Sequence, residues 1–209
     1  MSFDPLSLAI PGVRSLRPYQ PGKDMGQIQR ELGLSDVIKL ASNENPRAAK
    51  LDVWNSIQDI IPTISRYPDG GGQQLKIKIA KKLNVRPSQI TLGNGSNDVL
   101  EMVGKCFVQS QNKIIISQHA FLVYGLIATS LGAKLSVVPA INWSHDLKGM
   151  QDSIDQDTRV IFIANPNNPT GTWVSKNDLE SFLVSVPEHV LVVLDEAYFE
   201  YVQEESYPN

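Results

Sequence analysis

From residue 89 to residue 195 the chain alternates short apolar runs with longer segments in which apolar residues recur every three or four positions. The short runs are 90–92, 113–117, 134–138, 159–164 and 190–194, and Val and Ile dominate them. Runs of this length without a polar face read as strands covered on both sides, as in a parallel sheet. The longer segments, 96–108, 121–131, 147–154 and 176–184, read as helices. Strands alternating with helices of this length predict βαβ units and an α/β fold: a mostly parallel sheet with helices on both faces.

The first ninety residues follow a different rhythm. Residues 1–30 are rich in Pro, Gly and Gln and read as an extended amino-terminal arm rather than a packed helix. Residues 36–40 form a short strand candidate. Two amphipathic surface helices are expected at 51–61, closed by Pro62, and at 73–83. Between them Arg66-Tyr67-Pro68-Asp69-Gly70-Gly71-Gly72 reads as a loop.

The polar residues that end the strands are the candidate chemistry. The run 160–164 stops in Asn165-Pro166-Asn167-Asn168-Pro169-Thr170-Gly171, and 190–194 stops in Asp195-Glu196-Ala197-Tyr198. Ligands of open α/β sheets bind outside the strands' carboxyl ends, so Asn168, Asp195 and Tyr198 are expected to converge on one crevice. A carboxylate backed by five apolar residues needs a partner cation or donor. Singly, Asp195 also reads as a loop acid, and the Asn-Pro segment as a plain turn. The turn Gly93-Asn94-Gly95-Ser96-Asn97-Asp98 places two glycines before a helix start, which suits an anion such as phosphate and equally suits an ordinary capped turn.

Composition narrows the function. Over 209 residues the net charge is −3 with acids and bases interspersed, which points away from nucleic acid and from a membrane surface and toward a small-molecule ligand. The single cysteine, Cys106, reads as a buried, inert thiol in a helix. No apolar run approaches a membrane span and no signal peptide opens the chain, so a cytoplasmic protein is expected. With three histidines in all, His119 and His145 read as surface or core residues, and no metal site is expected.

Together Leu40-Ala41-Ser42-Asn43-Glu44-Asn45-Pro46, Arg66-Tyr67-Pro68-Asp69, Gly93-Asn94-Gly95-Ser96-Asn97-Asp98, Asn165-Pro166-Asn167-Asn168-Pro169-Thr170-Gly171 and Asp195-Glu196-Ala197-Tyr198 resemble the pyridoxal-phosphate aminotransferases of the aspartate aminotransferase fold, and among them the histidinol-phosphate aminotransferases. The resemblance implies pyridoxal 5'-phosphate as cofactor. Asp195 would hold the pyridine nitrogen protonated, with Asn168 and Tyr198 on the phenolic oxygen. Gly95, Ser96 and Asn97 would bind the phosphate, and Phe121 would stack on the ring, a role its neighbour Tyr124 could exchange with it. It also implies a homodimer in which Tyr67 reaches the neighbouring subunit's phosphate, and a substrate pocket lined by Tyr19 and Asn43.

The same resemblance divides the chain into the arm, 1–30, and the amino-terminal part of the cofactor-binding large domain, 31–209, ending before the Schiff-base lysine. Ser175-Lys176 reads instead as the cap of a helix. The chain alone is then expected to be inactive or very slow, and an unpaired last strand to lower its solubility. Three alternatives stand beside this reading. One is a non-catalytic remnant or partner-dependent fragment. Another is a relative acting on aromatic amino acids or decarboxylating a threonine phosphate. The last, a nucleotide-binding domain, lacks the acidic residue expected at the end of the second strand, where Ile116-Ser117-Gln118-His119 stands.

Overall fold

The computed structural model describes residues 4–17, 22–45, 47 and 50–208. They form two compact units, one made of 1–16 with 91–209 and the other of 17–90.

The larger unit contains every strand found among the described residues. After α1 (Pro11–Ser15), and beyond the smaller unit, it runs α5 (Ser96–Phe107), β1 (Lys113–Ser117), α6 (Leu122–Leu131), β2 (Lys134–Val138), α7 (Leu147–Asp152), β3 (Thr158–Ala164), α8 (Lys176–Ser185) and β4 (Leu191–Asp195). The four strands are parallel in the order β2-β1-β3-β4. Alternate side chains of β1 and β3 enter two cores. Ile114, Ile116, Val160, Phe162 and Ala164 pack with Leu100 of α5 and with Tyr124, Ile127 and Ala128 of α6. Ile115, Ile161 and Ile163 pack with Met150 of α7 and Phe182 of α8. This two-residue alternation places α5 and α6 on one face and α7 and α8 on the other. The central strands are buried throughout most of their length, whereas the outer strands β2 and β4 are partly exposed.

The chain leaves β1, forms β2 on one side of it, then returns past β1 to form β3 on the other. The strand order therefore reverses between β1 and β3. Their pairing ends early: Ile115 pairs with Ile161, after which Ile116 and Ser117 pair only with β2, and Phe162 to Ala164 only with β4. The two strands splay apart at their carboxyl ends, and that split is the crevice of an open α/β sheet.

The smaller unit contains α2 (Met25–Leu32), α3 (Leu51–Ile60) and α4 (Gln73–Leu83). Both α3 and α4 are surface helices as expected. Asp69 starts α4, its carboxylate accepting from Gly71 N at 2.9 Å and Gln73 N at 2.7 Å.

Four expectations need correction. Residues 1–30 are not extended throughout: Pro11 sits at the start of α1, where its missing N–H costs nothing, and Asp24 caps α2 by accepting from Gln27 N. Residues 36–40 and 90–92 are not strands, because neither finds a ladder partner among the described residues. Cys106 is exposed. It follows Gly104, which faces α6, by two residues, and about 200° of helical rotation turns it to the opposite side.

Candidate active site

The split between β1 and β3 opens into a cleft lined by Ser96, Phe121, Ala164, Pro166, Asn168, Asp195, Ala197 and Tyr198, with about 310 Å³ of space not filled by protein. That space includes open solvent; the cavity volume proper is about 50 Å³, well below the range for small-ligand sites. Five of the predicted residues thus meet in one place, each delivered at or just after the carboxyl end of a strand or at a helix start.

Asp195 ends β4, and its backbone carbonyl accepts from Asn165 N at 2.9 Å, extending the ladder by one rung. The expected donor to its carboxylate is the hydroxyl of Tyr124, at 2.7 Å. Tyr124 has no solvent exposure. Its ring stacks on Phe162 with centroids 4.8 Å apart and meets Phe121 edge-on at 5.8 Å. Burial, and then the adjacent Asp195 charge and hydrogen bond, push the Tyr124 hydroxyl far above the ordinary phenol range, so it stays protonated and donates. The second carboxylate oxygen accepts from Ala197 N at 3.2 Å. Of the two aromatics, Phe121 lines the cleft, whereas Tyr124 is fully buried and not part of its lining.

Gly95 precedes α5 with φ +77° and ψ 179°, a region essentially reserved for glycine. No side chain caps this helix. Asp98 instead turns back to accept from Asn94 N at 2.8 Å and from its side-chain amide at 3.1 Å. The N–H groups of Ser96 and Asn97 have no acceptor among the described residues, so they remain available to an anion.

The Asn-Pro segment is more than a turn. Asn165 is fully buried and its side-chain amide pairs with the Val174 backbone, accepting at 2.9 Å and donating at 3.3 Å. Asn167 donates to the His119 carbonyl at 2.9 Å and to Thr170 Oγ1 at 2.8 Å, and Gly171 closes the loop with φ +71°. These bonds fix the backbone that carries Asn168 to the cleft. Tyr207 adds a hydroxyl hydrogen bond to the Asn165 carbonyl. The sequence presents Tyr124 only as an alternative stacking ring and Asn165 only as part of the Asn-Pro segment, and it does not single out Tyr207; the partners of the three are 71, 9 and 42 residues away.

Asn97 is on the exposed first turn of α5. In the smaller unit Tyr67 is fully exposed and Asn43 has φ +51°. Tyr19 lies outside the described residues. Ser175 caps α8 by accepting from Asp178 N at 3.2 Å, as its sequence context predicts. No described helix is long and apolar enough to cross a membrane.

The chain is 51% identical over 204 residues to histidinol-phosphate aminotransferase 1 of Idiomarina loihiensis, covering 98% of this chain and 56% of that protein. It is 49% identical over 211 residues to histidinol-phosphate aminotransferase 2 of Pseudomonas fluorescens, covering 100% and 57%. The chain therefore spans just over half the length of the curated relatives it matches. Among solved structures it resembles a histidinol-phosphate aminotransferase from Sinorhizobium meliloti in complex with pyridoxal-5'-phosphate, with TM-score 0.85 and 25% identity over 97% of this chain and 54% of that one. It shares its fold with a single mutant of Thermus thermophilus aspartate aminotransferase, with TM-score 0.80 and 18% identity over 96% of this chain and 56% of that one. The family described as aminotransferase class I and II matches residues 35–209. On that match the chain belongs to the class I and II aminotransferases.

Proposed function

We propose that this chain forms the cofactor-binding part of a histidinol-phosphate aminotransferase, which exchanges an amino group between L-glutamate and imidazole acetol phosphate in histidine biosynthesis. The observation that carries this reading is the cleft that gathers Ser96, Phe121, Asn168, Asp195 and Tyr198, in a chain about half identical to proteins of that name. The donor set suits pyridoxal phosphate: free helix-start amides for an anion, an aromatic wall, and a carboxylate held by a buried hydroxyl. When bound, this cofactor supplies a pyridine ring that takes up the electron pair released at the substrate α-carbon.

In this reading Asp195 keeps a proton on the pyridine nitrogen, and Tyr124 keeps Asp195 in place. Asn168 and Tyr198 bind the phenolic oxygen, and Phe121 covers one ring face. Gly95, Ser96 and Asn97 bind the phosphate. Tyr67 reaches the phosphate of the neighbouring subunit in a homodimer, and Tyr19 and Asn43 line the substrate pocket. The setting is cytoplasmic. Lys176 is not assigned proton transfer, since it opens α8 and pairs loosely with Glu180 at 3.9 Å on an exposed face. The 209-residue chain by itself is accordingly expected to bind the cofactor without turning over substrate.

Titration of the purified chain with pyridoxal phosphate, followed by absorbance, tests the site. Saturable binding weakened by Asp195→Asn supports it, whereas no saturable binding, or binding indifferent to that substitution, overturns it. Borohydride trapping with mass spectrometry tests the second point. One specifically trapped lysine in this chain would refute the reading that none of its lysines serves.

A further inference from the structure

We infer that His145 is a positioning residue that holds the carboxyl-terminal end of β3 in its splayed place and so fixes the loop presenting Asn168. Its consequence for ligand binding rests on the function proposed above; its consequence for the loop does not.

The sheet leaves the Ala164 carbonyl without a rung. Successive residues of a strand direct their backbone groups to opposite neighbours. Asn165 N bonds to β4 through the Asp195 carbonyl, so Ala164, one residue earlier, faces β1. There the β1–β3 pairing has already ended, at Ile115 and Ile161. His145 takes the place of the missing rung, its Nε2 lying 2.7 Å from the Ala164 carbonyl oxygen. A carbonyl only accepts, so Nε2 carries the proton and Nδ1 a lone pair.

His145 reaches this point on a short hairpin. Ile141 and Ser144 exchange backbone hydrogen bonds of 3.1 and 2.9 Å across Asn142 and Trp143, whose φ values are +50° and +66°. Left-handed backbone at a tryptophan is strained and persists where surrounding contacts hold it. Here the contacts tie both sides of the split. The Trp143 ring packs at a 33° tilt against His119, which follows β1, with centroids 4.7 Å apart, and the Trp143 carbonyl accepts from Thr172, which follows β3, at 2.9 Å. The hairpin thus bridges the loops after β1 and β3, with His145 beside them.

The imidazole is also an expensive way to fill space. His145 is 7% exposed, and its Nδ1 is buried with no hydrogen-bond partner. An apolar side chain of similar volume would avoid that penalty. What leucine could not supply is the donor to Ala164.

Hydrogen exchange and pyridoxal phosphate titration on the full chain, comparing the native protein with His145→Leu and His145→Gln, test the inference. His145→Leu is expected to speed amide exchange across 165–174 and to weaken cofactor binding, each about ten-fold, the equivalent of one lost buried hydrogen bond. His145→Gln, which retains a donor, is expected to restore both to within about three-fold. Unchanged exchange in His145→Leu overturns the inference, as does exchange in His145→Gln as fast as in His145→Leu. Should the native chain fail to bind the cofactor, the proposed function falls while the exchange comparison still decides the role of His145. Should His145→Leu fail to fold, the glutamine variant decides alone: native protection at 165–174 supports the inference and its loss refutes it.

Discussion

Asp195 is half-buried, and the group that satisfies it cannot swing away, because the Tyr124 ring is locked against Phe162. Tyr124→Phe keeps the ring and deletes only the donor to a charged acceptor, so it should cost about 1.5–3 kcal/mol, read as a lower denaturant midpoint at unchanged slope. A loss below a few tenths would mean that solvent replaces the hydroxyl. The same hydroxyl titrates far above its unfolded value of about 10, so its stabilisation is complete below that pH and wanes above it, as the unfolded chain ionises first. His145 behaves oppositely. Burial lowers its pKa, outweighing the Ala164 hydrogen bond, since a proton on Nδ1 would find no acceptor. Its contribution is therefore intact above the unfolded value of about 6.5 and is lost as pH falls below it, where the unfolded chain takes up the proton first. Asp146, Lys148 and Asp178 line the adjacent surface cavity and can modulate the effect. Denaturation midpoints between pH 7.5 and 5 should fall less for His145→Gln than for the native chain.

At the scale of elements, α5 and α6 meet where Gly104 leaves room. A Cβ there would lie 2.5 Å from Ile127 Cγ2 and 3.2 Å from Leu131 Cδ1. Helix propensity alone favours alanine over glycine by about 1 kcal/mol, but overpacking costs about 1–3 kcal/mol and the obstructing methyl belongs to a stiff β-branched residue. Gly104→Ala should therefore lower the thermal midpoint, while a rise would show that the two helices separate easily. The packing partner explains what the chain's pattern could and could not reveal. Helices and inner strands were legible because Ile114 to Ile116 and Val160 to Ile163 are apolar on both faces, and helix starts carry their own caps, as at Ser175. The segments 36–40 and 90–92 have strand-like residues, yet strand formation depends on a neighbour that local pattern does not specify. Asp195, Asn168 and Tyr198 were legible as strand-end polar residues. Tyr124 was legible only as an aromatic that could stack on a ligand, and His145 only as a surface or core residue, because their roles depend on partners 71 and 19 residues distant.

For the larger unit as a whole, the sheet's boundary decides how the chain behaves at concentration. Among the described residues β2 bonds only to β1 and β4 only to β3, so each outer strand presents unpaired backbone groups. Apolar side chains accompany both edges: Leu135 and Val137 on β2, and Leu191 on β4, with Val184, 90% exposed, on α8. A net charge of −3 spread over 209 residues gives little repulsion to oppose contact. These features predict reversible self-association of the chain, visible as a light-scattering mass that rises with concentration. Two substitutions separate its causes. Val137→Lys places a charge on the exposed side of an outer strand, the device by which edges resist pairing, whereas Val184→Lys leaves both edges intact and removes only an apolar helix contact. If strand pairing drives association, Val137→Lys should restore the monomer mass and Val184→Lys should not; the reverse outcome would place the contact on α8. A mass independent of concentration in the native chain would show that both edges are protected.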